Sequence, residues 1–202
     1  MKSIAQPSRM ASSPLSRWQR LILTGYRGTG KSRIGRALAD LYGFDLVDTD
    51  QLICARTDRS ISGLIADQGW EGFRRLEREV LEQLADRAGL VIATGGGAIL
   101  HEEAWQRLRK RSIVCWLTAE ASTIRARIRN DAGSAAARPP LSGMDPDEEI
   151  RVQLARRRSL YRRGSDFPVR TDQKTPAEIV AEIRQRVEAW QVDMGPEAER
   201  NR

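Results

Sequence analysis

The sequence predicts an α/β domain built on a parallel sheet with helices on both faces. Two observations carry this expectation. Short apolar runs alternate with helical stretches from about residue 20 to residue 190, and strands separated by helices pair in parallel. The first apolar run, Leu21-Ile22-Leu23, passes directly into Gly25-Tyr26-Arg27-Gly28-Thr29-Gly30-Lys31-Ser32. Strand, glycine-rich turn and helix in that order make a phosphate-binding loop. Its backbone N–H groups cradle phosphate oxygens in front of a helix N-terminus.

Taken in order, the first strand spans residues 20–24. A helix follows Lys31, with Ile34, Leu38 and Leu41 expected on one apolar face, and Gly43 stops it. The second strand is expected at residues 44–47. A helical region then runs over residues 52–88, broken near Gly69 and Gly72. The third strand, residues 90–93, ends in Thr94-Gly95-Gly96-Gly97. A helix at 102–110 leads to the fourth strand, 113–117, and another at 121–130 enters a segment rich in Ala, Gly and Pro up to Gly143. The helix at 146–163 precedes a fifth short strand, 167–171. The last helix, 176–190, carries Ile179, Val180, Ile183 and Val187 on its apolar side.

In such a sheet, ligands gather beyond the carboxyl ends of the strands. The phosphate loop, the pair Asp48 and Asp50, and the run Gly95-Gly96-Gly97 follow strands one, two and three, so all three belong on one edge. Within the loop, Lys31 is placed to reach the outer phosphates and Ser32 to bind Mg2+. Strand alternation can point Asp48 and Asp50 the same way. One would serve the metal and the other a substrate hydroxyl; the competing role is to cap the helix that follows. Three adjacent glycines fill no core but let backbone approach a ligand closely. Arginines supply positive charge at Arg74 and Arg75, at Arg138 in a segment with the composition of a mobile lid, and at Arg156, Arg157 and Arg158. Spacing alone does not choose among them.

Composition narrows the class further. A chain of 202 residues suits one domain. The net charge of +7 would suit nucleic acid, or an enzyme with anionic ligands, since Arg pairs bidentately with carboxylate and phosphate. Cys54, Cys115 and the single histidine, His101, are too scattered for a zinc site, and free thiols point to reducing cytosol. No segment is long and apolar enough to span a membrane. Residues 1–17, rich in Ser, Pro and Ala, read as a disordered extension whose chemistry an organelle transit peptide would share. Residues 18–192 read as the single folded domain, with a lid at about 130–143, and 193–202 as a polar tail.

The ordered series GYRGTGKS, Asp48-Thr49-Asp50, Phe73-Arg74-Arg75-Leu76-Glu77, Gly95-Gly96-Gly97, Arg138-Pro139 and Arg157-Arg158-Ser159-Leu160-Tyr161 resembles that of the shikimate kinases, over about residues 20–190. The resemblance implies a phosphate-loop fold of the nucleoside-monophosphate-kinase type, with a five-stranded parallel sheet in order 2-3-1-4-5. It implies transfer of the terminal phosphoryl group of ATP to the 3-hydroxyl of shikimate, with Mg2+, on the route to chorismate and aromatic amino acids, by a cytoplasmic monomer. On that resemblance Asp50 holds and orients the ring hydroxyls, Arg74 and Arg157 clamp the carboxylate, and Gly96, within the Gly95–Gly97 run, offers its N–H. Ser32 and Asp48 attend the metal. Lys31 and Arg138 stabilise the transferring phosphoryl. Gly28, Thr29, Gly30, Arg33 and Lys174 belong to the nucleotide side.

Arg33, Pro140 and Ser159 depart from the family pattern, which has a small hydroxyl residue, an aliphatic residue and a proline at these positions. The lid is also slightly enlarged. Two rival readings remain at this stage. One is a different small-molecule kinase, resembling gluconate kinase. The other is a ligand-binding regulator or nucleic-acid-binding protein, for which the chain offers neither a helix-turn-helix nor an aromatic basic surface.

Overall fold

The structure, a computed structural model, describes residues 18–130 and 145–193. Strands β1 (Arg20–Thr24), β2 (Asp45–Asp48), β3 (Leu90–Ala93), β4 (Ser112–Thr118) and β5 (Phe167–Arg170) form one parallel sheet in the order β2-β3-β1-β4-β5. Helices α1 (Lys31–Tyr42), α2 (Thr49–Thr57), α3 (Ile61–Leu84), α4 (Glu102–Arg109), α5 (Ala121–Asn130), α6 (Pro146–Arg163) and α7 (Pro176–Asp193) connect and follow them.

Side chains alternate across each central strand, so two cores form. Leu21, Leu23, Val91, Ile113, Cys115 and Leu117 face α1 and α7. Ile22, Ile92 and Val114 face the other way, toward Phe73, Leu81, Trp105 and Tyr161. Strands that are apolar on both faces are what a sheet covered on both sides requires. At the amino end of the sheet, buried Arg20 donates to Ser112 Oγ (2.9 Å) and to the carbonyls of Ala85 (2.9 Å), Arg87 and Lys110. Burial pushes its guanidinium below the ordinary Arg range, with Arg111 adding to the effect. This side chain closes the edge opposite the ligand loops.

Several boundaries differ from expectation. β2 starts at Asp45 and ends at Asp48, because the backbone N–H of Phe44 is used by the carbonyl of Ala39 to finish α1. Leu41 is exposed: the buried stripe of α1 includes Ile34, Gly35, Leu38 and Ala39, and Leu41 falls about 90° from its centre. The helical region begins at Thr49 and is interrupted between α2 and α3, where Asp58 takes up a left-handed conformation. Inside α3 the break comes at Gly69 alone, whose φ of 67° and ψ of 178° lie in a region reserved for glycine. Gly72 stays helical; it is buried against Gln68, where a Cβ would meet the Gln68 side chain. β4 and α7 run longer than expected, and α4 and β5 slightly shorter.

Candidate active site

The loops after β1, β2 and β3 meet at the carboxyl edge of the sheet. The N–H of Thr94 bonds the carbonyl of Leu23 (3.1 Å), and the N–H of Gly95 bonds Thr49 Oγ1 (2.8 Å). Gly25, Gly28 and Gly30 all have positive φ, as the turn of residues 25–32 demands. Thr29 Oγ1 braces that turn through the carbonyl of Tyr26 (2.8 Å). The Lys31 ammonium crosses the loop to the carbonyls of Gly25 (2.9 Å) and Tyr26 (2.8 Å) and is buried there. No side chain caps the N-terminus of α1 and no acid lies in its first turn. Its orphan N–H groups and positive dipole end are therefore left for an anion. Exposed Arg33 sits on the same turn.

Asp48 does two jobs. Its Oδ2 accepts a hydrogen bond from Ser32 Oγ, which joins the metal-side pair expected from the sequence. Its Oδ1 accepts the N–H groups of Asp50 (3.0 Å) and Gln51 (3.2 Å), so Asp48 is also the N-cap of α2. The expected strand-like alternation of Asp48 and Asp50 therefore does not occur. Thr49 already turns the chain into helix, and half-buried Asp50 lies in the first turn of α2. The metal and helix-cap readings of Asp48 are compatible because its two oxygens divide the work.

The glycine run lies between two arginines. Arg157 is the buried member of its run; Arg156 and Arg158 are exposed. Its Nη1 donates to the carbonyl of Gly96 (2.9 Å), which also accepts the Tyr161 hydroxyl (2.6 Å). Burial pushes the Tyr161 phenol up to about 12. A Cβ at Gly96 would stand 3.4 Å from the N of Arg27, so the run rests on the phosphate loop itself. Gly97 lies under Arg74: a Cβ there would overlap the guanidinium. Arg74 is held from behind by Glu77 and lies over the rings of Trp70 (5.4 Å) and Phe73 (5.6 Å). Glu77 is fully buried. Burial pushes its carboxyl up, but hydrogen bonds from His101 and Arg74, with the Arg74 charge, outweigh this and hold it below the usual range.

On the nucleotide side, Lys174 bonds Glu182 (2.6 Å), at the loop leading into α7. Sequence reasoning missed Arg127 there. From α5 it reaches the carbonyl of Gly28 (3.3 Å) and Thr171, through Oγ1 (2.9 Å) and the carbonyl (2.8 Å), tying the phosphate loop to the segment after β5. Thr49 was likewise missed as a brace, as was His101, 2.9 Å from Glu77. An acid three residues after Arg74 on a helix was a readable signal for Glu77; nothing local marked the other three. Arg138, Pro139, Pro140 and most of the expected lid lie outside the described residues. Among the described residues no cluster of three or more His, Cys, Asp or Glu could hold a metal, and no helix is long and apolar enough to cross a membrane. Neither Cys54 nor Cys115 is in a disulfide among the described residues.

A phosphate loop after the central strand, with Arg74 and Arg157 against the glycine run beside it, defines a small kinase of the phosphate-loop class. The sheet order and flanking helices are those of its nucleoside-monophosphate-kinase branch. The sequence profile of shikimate kinase matches residues 27–188, and the chain belongs to that family. A shikimate kinase of Symbiobacterium thermophilum is 39% identical over 168 residues, 83% of this chain and 95% of its own. Shikimate kinase 2 of Salmonella schwarzengrund is 38% identical over 165 residues, 82% and 90% of the two chains. Among solved structures, shikimate kinase from Acinetobacter baumannii in complex with shikimate superposes with a TM-score of 0.79 at 32% identity, covering 85% of this chain and 94% of that one. A gluconokinase from Sinorhizobium meliloti, at 18% identity and a TM-score of 0.58, shares the fold alone.

Proposed function

We infer that this protein transfers the terminal phosphoryl group of ATP to the 3-hydroxyl of shikimate. The observation that carries the reading is the placement of Arg74 and Arg157 on either side of the 95–97 run, directly against the phosphate loop. A compact anionic triol needs a cationic clamp for its carboxylate and acceptors for its hydroxyls, within reach of a triphosphate. Two arginines, Asp50 and the loop supply those parts. The family relationship supports the same substrate.

Phosphoryl transfer asks for positioning and electrostatics rather than a covalent nucleophile. In this reading Arg74 and Arg157 grip the carboxylate, and the 95–97 backbone lies along the ring. Asp50 orients the attacking hydroxyl and takes its proton. Lys31 and residues 28–32 hold the phosphates, with Arg33 and Lys174 adding positive charge on the nucleotide side. Arg138 is assigned to the transferring group on its place in the motif series.

The Ser32 hydroxyl and Asp48 carboxylate, already joined, are hard oxygen donors that fit Mg2+, an ion that keeps several waters and takes its remaining ligands from phosphate. Such an ion would neutralise charge building between the outer phosphates. A cytoplasmic setting suits two cysteines that form no disulfide among the described residues. We assign the folded unit to residues 18–192 and expect it to act as a monomer.

A coupled ADP-release assay with ATP and Mg2+, run on shikimate, quinate and gluconate side by side, tests the proposal. Shikimate should be turned over far faster than gluconate; equal or greater turnover of gluconate would sink it.

A further inference from the structure

The chain has one histidine, and the reaction as described makes no use of it. His101 ends the short 3-10 turn Ala98–Leu100 that follows the glycine run, and its N–H bonds the carbonyl of Ala98 (3.2 Å). Its Nε2 stands 2.9 Å from Glu77 Oε2. Facing an ionised carboxylate, that nitrogen is the donor. Arg74 Nη1 bonds the same Oε2 from α3, while Glu77 Oε1 has no hydrogen-bond partner among the described residues. Both donors to a fully buried carboxylate therefore converge on one oxygen, one from α3 and one from the turn that follows the glycine run.

We propose that His101 is a positioning residue for the substrate carboxylate: through Glu77 it sets where the Arg74 guanidinium stands and how much of it is offered to the ligand. This rests on the reading that Arg74 clamps that carboxylate. A guanidinium paired with a buried carboxylate is a poorer partner for a second one, because the two anions compete for the same donors. His101 answers part of the Glu77 charge and pins its Oε2 to the loop that also carries Gly97, the residue beneath Arg74. Without the imidazole, Glu77 is answered by Arg74 alone. The guanidinium is drawn onto it and loses its register with the 95–97 run. Shikimate binding weakens; the phosphate loop, on the far side of that run, is untouched.

Steady-state kinetics of His101→Leu, His101→Gln and His101→Asn test this. A glutamine amide can place its N–H near the position of the imidazole Nε2, whereas asparagine falls short, near Nδ1. His101→Leu should raise the KM for shikimate about 3- to 10-fold, the scale of one lost hydrogen bond, with kcat and the KM for ATP within about twofold of the parent. His101→Gln should restore the parent value and His101→Asn should not. The glutamine–asparagine contrast decides the matter even if the leucine variant fails to fold. An unchanged KM for shikimate, a loss shared by ATP, or equal behaviour of the Gln and Asn variants overturns the proposal. Arg74→Ala, measured alongside, separates the two layers. If it leaves the KM for shikimate unchanged, the clamp reading fails. If it raises KM while the His101 variants match the parent, only the role of His101 fails.

Discussion

Gly97→Ala offers a sharp test of the clamp, because the structure separates what the added methyl disturbs from what it leaves alone. The backbone at Gly97 has φ of −99° and ψ of −8°, which alanine adopts without strain. The three atoms nearest to the new Cβ all belong to the Arg74 guanidinium, with Nη2 at 2.7 Å. That group is the far end of a flexible side chain, so it swings aside and the fold stays intact. If Arg74 clamps the substrate carboxylate as proposed, moving it loses a charge-assisted contact worth about 1.5–3 kcal/mol, or roughly a 10- to 150-fold rise in the dissociation constant. Isothermal titration with shikimate measures this directly, and ATP affinity serves as the internal control. The same substitution in an Arg74→Ala background should add almost nothing, since the group that it displaces is already gone. Unchanged shikimate affinity, or a full additional loss in the Arg74→Ala background, would refute the reasoning.

Further outcomes follow from other parts of the structure. Arg157→Ala should weaken shikimate binding with little change for ATP, while Arg158→Ala, at an exposed position, should behave as the parent; titration of both ligands against both variants checks the choice within the arginine run. Tyr161 has its folded-state value raised by burial from 10.0 to about 12, so its contribution to stability is complete below pH 10 and is lost as pH climbs from there through 12. Urea unfolding at pH 9.5 and 11.5 should show a steeper alkaline decline in the parent than in Tyr161→Phe, by roughly 1.5–2 kcal/mol. Gly69→Ala should cost about 1–3 kcal/mol in the same assay, since its conformation is one that alanine avoids; no loss would mean that the kink can be rebuilt as continuous helix.

Much of the fold was legible because the signals were local. Apolar runs on both faces marked the strands, Gly43 marked the end of α1, and the glycine-lysine-serine spacing marked the phosphate loop. The errors came where one residue serves two neighbours. Asp48 closes a strand and opens a helix, so a rule of alternation carried past the strand end misdirected Asp50. Leu41 fitted a loose helical stripe but lies at its exposed edge, on an open surface groove beside α7. In the candidate site, the motif series pointed to Arg74, Arg157 and Gly96, which the fold brings together, while Thr49, His101 and Arg127 act across 46, 24 and 99 residues of sequence respectively. Contacts of that range leave no trace in spacing.

The double acceptance at the Gly96 carbonyl reaches beyond fastening α6 to the loop. Both donors, Arg157 and Tyr161, arrive from one helix and hold that oxygen in place. A trans peptide sets the next N–H on the opposite side of its plane, so the N–H of Gly97 is locked facing away from α6. Peptides between glycines can ordinarily rotate as rigid plates at little cost; this one is bolted at its oxygen. A dipole fixed in advance spends no reorganisation energy when a polar ligand arrives. The most flexible tripeptide in the sequence thus becomes a rigid electrostatic fixture, and its stiffness is supplied by a phenol and a guanidinium more than 60 residues away.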